Sequence, residues 1–444
     1  MSDDAGAPPV LESPVLESPV LESPVLEPPY RTALKPYGHA LVELARQRPE
    51  IVCLSGDLTR QCEIDLFQAA FPDRFIHAGM AEANMIGVAG ALARSGLIPF
   101  VHTFGVFATR RPLDQIINAV AYPHLPVRIV GFMPGVSSPG GPSHQAIEDV
   151  ALMRALPGMT VVDVADATET AQVVAAIADL PGPVYLRLKR GEIPVIFPED
   201  HRLSLDRAQV LVDGRNGTGL ARGTTGGGAT AGGGVTRGGA QTEGGAESAG
   251  AAVNEGGAVT GGGGATRGGA ETAGRGGMGV WPGSTGDARG QLRAPEAVPG
   301  SDVALLVSGM MVAPALAAAR VLRSAGIATL VLNIPVIKPL DTATVLAAAA
   351  ATQTVITAEN HSIIGGLGSA VAEVLAESAL PRPLHRLGLQ DTYAEGARTA
   401  TYLFQKYGLS TQHLIDAAWS ALHRPGTPPR SQPLPAEEGE YAPV

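Results

Sequence analysis

The chain has 444 residues and 45% hydrophobic content, enough for two or three domains with buried cores. Its net charge of −10, from 42 acidic against 32 basic residues with no Lys/Arg stripe, argues against a nucleic-acid partner. Only Cys53 and Cys62 occur, without C-x-x-C or clustered His, which argues against a disulfide framework, zinc or an iron–sulfur cluster and fits a reducing cytoplasm. The acidic start MSDDAGAPPV lacks the basic and then apolar regions expected of a signal peptide, and no apolar run of about 18 residues offers a membrane span.

In chain order, residues 10–29 repeat VLESP with a proline in each copy, too proline-dense for a helix, so 1–30 reads as a disordered leader. Residues 31–200 alternate strand-like runs (IVCL at 51, IPFVHTF at 98, VRIVGF at 127, PVYLRL at 183) with amphipathic helical stretches. Such alternation predicts a three-layer α/β domain with a mostly parallel sheet. From about Gly214 the composition collapses into Gly, Ala, Thr and Ser, and 201–300 reads as a long, disordered, flexible linker. Residues 301–424 repeat the α/β pattern: VALLVSG, a helix near 313–323, IATLVLNI, a helix near 341–351, TVITAE, and a Gly-rich turn into a helix at 365–378. Residues 425–444 read as a disordered tail. Neither block holds a P-loop, a Rossmann glycine fingerprint after its first strand, or a G-x-S-x-G elbow.

Glu82 follows the strand-like Arg74–His77 and opens a predicted helix, Ala81–Arg94, which puts its carboxylate at the end of a parallel strand, where α/β sheets bind ligands. An acid in the first turn otherwise simply complements the helix dipole. Downstream stand PFVHTFGVFATRRPLDQI and GPSHQAIEDVALMRALPGM. With the spacing from Glu82, these segments resemble the pyrimidine-binding domain of the transketolase family, and the block from Asp302, with GLGSAVAEVLAE and YGLS, resembles that family's C-terminal domain.

The resemblance implies a thiamine-diphosphate-dependent transferase that moves a two-carbon ketol unit from a ketol donor to an aldehyde acceptor. It implies that Glu82 hydrogen-bonds the ring nitrogen of the cofactor's aminopyrimidine, favouring the tautomer that activates the thiazolium carbon. Phe104 and Phe107 then pack on the pyrimidine ring, Asp57 lies near the cofactor, His144 faces substrate oxygens, and Arg190 meets a substrate phosphate. Each has an ordinary alternative: core for the two Phe, a turn cap for Asp57, a solvated loop for His144 and a strand-end charge for Arg190.

Departures from the family pattern bear on the substrate. Ser138-Pro139-Gly140-Gly141-Pro142 replaces an acidic residue before Gly-Pro-Ser-His, and Phe132-Met133-Pro134 lies where the family carries another His. Leu34 stands where a phosphate-binding Arg is expected, with Arg31 and Lys35 close by. The chain also lacks the Gly-Asp-Gly…Asn run that holds the diphosphate and Mg²⁺ in the family, which implies a separate N-terminal-half subunit carrying those ligands in an α₂β₂ assembly. Two alternatives remain: the β subunit of a 2-oxoacid dehydrogenase E1 component, and a non-catalytic regulatory subunit.

Overall fold

The computed structural model describes residues 25–214 and 301–431. Fourteen strands run through them: β1 (Thr32–Leu34), β2 (Ile51–Ser55), β3 (Phe75–His77), β4 (Ile98–Phe104), β5 (Arg128–Phe132), β6 (Thr160–Asp163), β7 (Val184–Leu188), β8 (Glu192–Pro194), β9 (Gln209–Val212), β10 (Val303–Val307), β11 (Thr329–Asn333), β12 (Val336–Lys338), β13 (Thr354–Ser362) and β14 (Leu384–Leu389). The first sheet has the order β12-β6-β7-β5-β4-β2-β3. Its members β2 to β7 are all parallel. Strands β2, β5, β6 and β7 are buried throughout, as expected for a parallel sheet covered on both faces. Leu41, Phe67, Phe100 and Val174 pack one face, and Met85, Ile86, Ile129 and Val161 pack the other.

Neighbours β2 and β4 are the switch point of this sheet: the chain leaves β2 for β3 on one side and leaves β4 for β5 on the other. The crevice at the carboxyl ends of such a pair is where open α/β sheets bind ligands. The helix Glu82–Arg94 follows β3 and packs against a π-helical segment, Ile116–Ala121. Gly90 permits that approach, because a Cβ there would lie 2.5 Å from the Ala119 carbonyl oxygen.

The second sheet, β14-β13-β10-β11-β9, is parallel except for β9. Two strands depart from the domain boundaries read from the sequence. β12 leaves the second domain to pair antiparallel with β6 of the first. β9, inside the stretch assigned to the linker, pairs antiparallel with β11 of the second sheet. The Gly-rich run is therefore bounded on both sides by strands of one sheet, and the chain passes between domains before it, between β8 and β9. Its outer described residues, Gly214 and Ser301, lie side by side: a Cβ on Gly214 would fall 2.2 Å from Ser301 Oγ. The expected disorder of that run lies outside the described residues.

The ends of the chain also depart in part. Val25 is buried in a cluster drawn mostly from the second domain, the Leu26 amide donates to Ile196 O at 2.8 Å, and Glu27 pairs with Arg320, so the last copy of the repeat, VLEPP, packs against both domains. Residues 425–431 are tied to helix Thr411–Ala421 through Gln412, which bonds Pro429 O and the Ser431 amide. The rest of the leader and tail lies outside the described residues.

A buried charged cluster joins the domains. Arg187 of β7 donates to Asp149 Oδ2 and Asp163 Oδ2, both at 2.9 Å, and to the backbone oxygen of Asn360 on β13, also at 2.9 Å. Tyr185 Oη donates to Asp149 Oδ2 at 2.6 Å and Ser308 Oγ to Asp163 Oδ2 at 2.9 Å. Burial works against the Arg187 charge, but Asp149 and Asp163 outweigh it and hold the guanidinium above its usual range. On β13, Glu359 caps the helix Leu367–Glu377 by accepting from the Leu367 and Gly368 amides at 2.6 and 2.8 Å. Burial pushes its carboxyl up to about 7.

Two outcomes follow from this architecture. Replacing residues 215–300 by a short Gly/Ser turn is expected to leave the thermal midpoint within about 3 °C of the parent, since the flanking residues already adjoin and loop length costs little; a loss of cooperative melting contradicts this. Glu359 holds a proton in the folded chain that the unfolded chain releases above about pH 4.5, so its contribution is full below that value and is lost as pH rises through about 7. Denaturant titrations of wild type and Glu359→Gln should therefore show the wild type losing about 1–3 kcal/mol relative to the variant between pH 4.5 and 7. A pH-independent difference contradicts the assignment.

Candidate active site

Glu82, Phe104, Phe107 and His144 come together at the carboxyl edge of β3, β4 and β5. Glu82 is the first residue of its helix, where the free amides favour a carboxylate, and its side chain is only 3% exposed. Met85 and Ile86 beneath it are buried, whereas Met80 faces outward. Phe104 ends β4 and Phe107 sits in the short helix Gly105–Thr109 that follows. Their rings stack with centroids 6.2 Å apart, and His144 meets the Phe107 ring edge-on at 5.4 Å.

Two adjacent arginines, not singled out by the sequence reading, organise these groups. Arg111 Nη1 donates to Glu82 Oε1 at 2.6 Å while its guanidinium lies over the Phe107 ring, 4.2 Å from the centroid. Arg110 anchors the His144 loop instead. It donates to Pro142 O (3.0 Å) and Gln145 O (2.9 Å) and forms a two-pronged pair with Glu148. That pairing raises the Arg110 guanidinium above its usual range. A twin Arg at the end of a short helix is the sequence signal; which carboxylate each one reaches is set by distant parts of the chain.

The second domain closes the back of the loop. Gln145 Nε2 donates to Ser138 O and to Glu395 O, each at 3.0 Å, and Ala397 N donates to Pro139 O at 2.9 Å. His144 Nδ1 bonds Ser143 Oγ at 2.9 Å. Gly140 packs closely here: a Cβ would sit 3.0 Å from that of His144, which would have to give by a few tenths of an ångström. The segment before it turns inward: Met133 is buried, and Asn360 fastens the backbone by donating to Pro134 O (2.9 Å) and accepting from Val136 N (2.8 Å). Phe132-Met133-Pro134 thus serves packing, at the position where the sequence comparison with the family anticipated a polar ligand.

Asp57 stands after β2, on the same sheet edge, with a left-handed backbone (φ 73°) and its Oδ1 3.4 Å from His77 Nε2. Arg190, two residues beyond β7, is partly buried beside Cys62. Burial drives that thiol well above its usual range, against the pull of Arg190. Lys35, near the missing Arg at Leu34, is paired with Asp65 at 2.7 Å, and Leu34 is exposed.

A buried acid and stacked rings at the carboxyl edge of a mostly parallel sheet define an α/β protein with a candidate ligand site. Comparison with known proteins makes this specific. Residues 30–195 match the family model for the transketolase pyrimidine binding domain and residues 293–414 that for the transketolase C-terminal domain. The chain is 35% identical over 86% of its length to a putative uncharacterized transketolase family protein, y4mN, of Sinorhizobium fredii, covering 86% of that protein. It is 34% identical over 87% of its length to the 6-deoxy-6-sulfo-D-fructose transketolase subunit SqwH of a Clostridium species, covering 94% of it. A solved split-gene transketolase, described as an inactive β4 tetramer, matches with TM-score 0.63 and 33% identity, over 89% of this chain and 99% of that one. The chain belongs to the transketolase family and corresponds to its C-terminal half.

Arg110→Met should release the Pro142–Glu148 loop. Amide hydrogen exchange across residues 138–148 is expected to rise, with about 1–3 kcal/mol of stability lost to the stranded acceptors. Arg110→Lys should recover only part, because an ammonium cannot span the same fork of partners. Unchanged exchange in that loop contradicts the anchoring role.

Proposed function

We propose that this chain is the C-terminal subunit of a split, thiamine-diphosphate-dependent transketolase-like enzyme, and that it transfers a two-carbon ketol or related acyl-anion unit from a ketol donor to an aldehyde acceptor. The observation that carries the reading is the placement of the 3%-exposed Glu82 carboxylate beside the stacked Phe104 and Phe107 rings and His144. When bound, thiamine diphosphate supplies the nucleophilic carbon that takes up the two-carbon unit. Glu82 holds the proton shared with the pyrimidine nitrogen, Phe104 and Phe107 orient the ring, and His144 moves a proton at the substrate oxygen. Asp57 borders the cofactor from the end of β2, and Arg190 receives an anionic group of the substrate.

The residues present fit the pyrimidine end of the cofactor. Among the described residues no group of three or more His, Cys, Asp or Glu is placed to hold a metal ion. Mg²⁺ and diphosphate ligands are assigned to an N-terminal-half subunit, in an α₂β₂ assembly. The likeness to a split-gene transketolase chain whose β4 tetramer is called inactive supports that division. The name of the Clostridium relative, a transketolase subunit, supports a transketolase over an E1 β subunit. A cytoplasmic setting agrees with two free, buried cysteines, and among the described residues no helix is long and apolar enough to cross a membrane. The inward-turned Phe132-Met133-Pro134 favours a substrate read by fewer hydroxyl contacts than a sugar phosphate.

The test is to assemble the chain with an N-terminal-half subunit, thiamine diphosphate and Mg²⁺ and to screen ketol donors, with acyl transfer to lipoamide as the E1 control. Turnover is expected only from the assembly, with Glu82→Ala lowering kcat by about 10²–10⁴. Full turnover in Glu82→Ala, or transfer to lipoamide, sinks the proposal.

A further inference from the structure

Arg111 occupies both surfaces that the proposed pyrimidine site would use. Its Nη1 is 2.6 Å from Glu82 Oε1, and its guanidinium carbon is 4.2 Å from the centre of the Phe107 ring. A flat heterocycle stacked on that face of Phe107 with its nitrogen on Glu82 would compete with the guanidinium for both groups. The planar, cationic guanidinium matches such a ring in shape and offers the same kind of hydrogen bond to the carboxylate.

The two neighbouring arginines differ in how firmly they are held. Arg110 is fixed by two backbone carbonyls and the Glu148 carboxylate, and its side chain is 31% exposed. Among the described residues Arg111 has one hydrogen-bond contact and one ring contact, and its side chain is 48% exposed, against 3% for its partner. An ion pair with one half-exposed arm exchanges readily, and a long arm that swings outward reaches water at little cost. The buried Glu82 carboxylate thus keeps a partner whether the arm or a ring is in place, and is never left uncompensated in a low-dielectric site.

We propose that Arg111 is a gatekeeping residue that stands in for the pyrimidine ring, holding Glu82 and the Phe107 face until the cofactor displaces it, and so setting the affinity for thiamine diphosphate. This rests on the cofactor reading given above. It makes Arg111 a competitor of the cofactor, with no part in the reaction itself.

The experiment is isothermal titration of thiamine diphosphate with Mg²⁺ into the full chain assembled with its N-terminal-half subunit, comparing wild type, Arg111→Ala, Arg111→Lys and Glu82→Gln. Thermal melts check that each variant is folded. Arg111→Ala should tighten binding about three- to tenfold. Arg111→Lys should fall between Ala and wild type, keeping the charge but losing the planar stack. The gain from Arg111→Ala should be smaller in the Glu82→Gln background, where the ion pair is already gone. Equal or weaker binding by a folded Arg111→Ala, with wild type binding normally, overturns the gate alone. A folded wild-type assembly that takes up no thiamine diphosphate overturns the functional reading and the gate with it.

Discussion

The Arg187 cluster is the constraint on which the rest of the structure hangs. A guanidinium and two carboxylates, each no more than 5% exposed, sit where both domains meet. Desolvating three charges is costly and is offset only if every lone pair and proton finds a partner. Here Tyr185 and Ser308 serve the carboxylates, and the Asn360 carbonyl takes the remaining guanidinium edge. Gly131 on the neighbouring strand makes this possible, because a Cβ there would lie 2.6 Å from Tyr185 Oη. The geometry reaches the site directly. Asp149 begins the helix Asp149–Arg154, which the His144 loop feeds, and Asn360 grips the backbone from Pro134 to Val136. The loop is therefore fixed at its far end by Arg187, at its middle by Arg110 and at its near end by the second domain.

Much of this was legible in the sequence because buried parallel strands read as continuous apolar runs and the intervening helices carry a 3.6-residue pattern. The IPFVHTF run at 98 coincides with β4, and the helix expected over Ala81–Arg94 is observed at Glu82–Arg94. Glu82, Phe104, Phe107 and His144 were singled out by the strings in which they stand, and the fold brings them together, Phe104 at the end of β4, Phe107 and Glu82 on the helices that follow strands and His144 in a loop. What escaped depends on pairing at a distance. β12 and β9 are short, and their partners lie in another domain or more than a hundred residues away. The composition of the Gly-rich run was plain, but its place inside one sheet was fixed by which strand β9 joins, and a linear pattern carries no such information. Arg187 likewise sits in an ordinary-looking LRL alternation whose charge reads as solvent-facing until Asp149 and Asp163 are seen opposite it.

The two functional arginines show the same limit at the site itself. Both follow Phe107 in the string FATRRP, and nothing local separates them. The fold gives Arg110 two carbonyls and the Glu148 carboxylate, and gives Arg111 one buried acid and one ring face. One is thereby structural and the other exchangeable, although their chemistry is identical. On the proposed reading the chain carries one end of a two-ended ligand site, and its buried Glu82 carboxylate needs a partner before the ligand arrives. An arm that is half in water meets that requirement without blocking the site permanently, whereas a fully buried cation such as Arg187 could not leave. The exposure of each guanidinium, 48% for Arg111 against 1% for Arg187, is thus the physical variable that separates a contact able to yield to a ligand from one that holds the fold together.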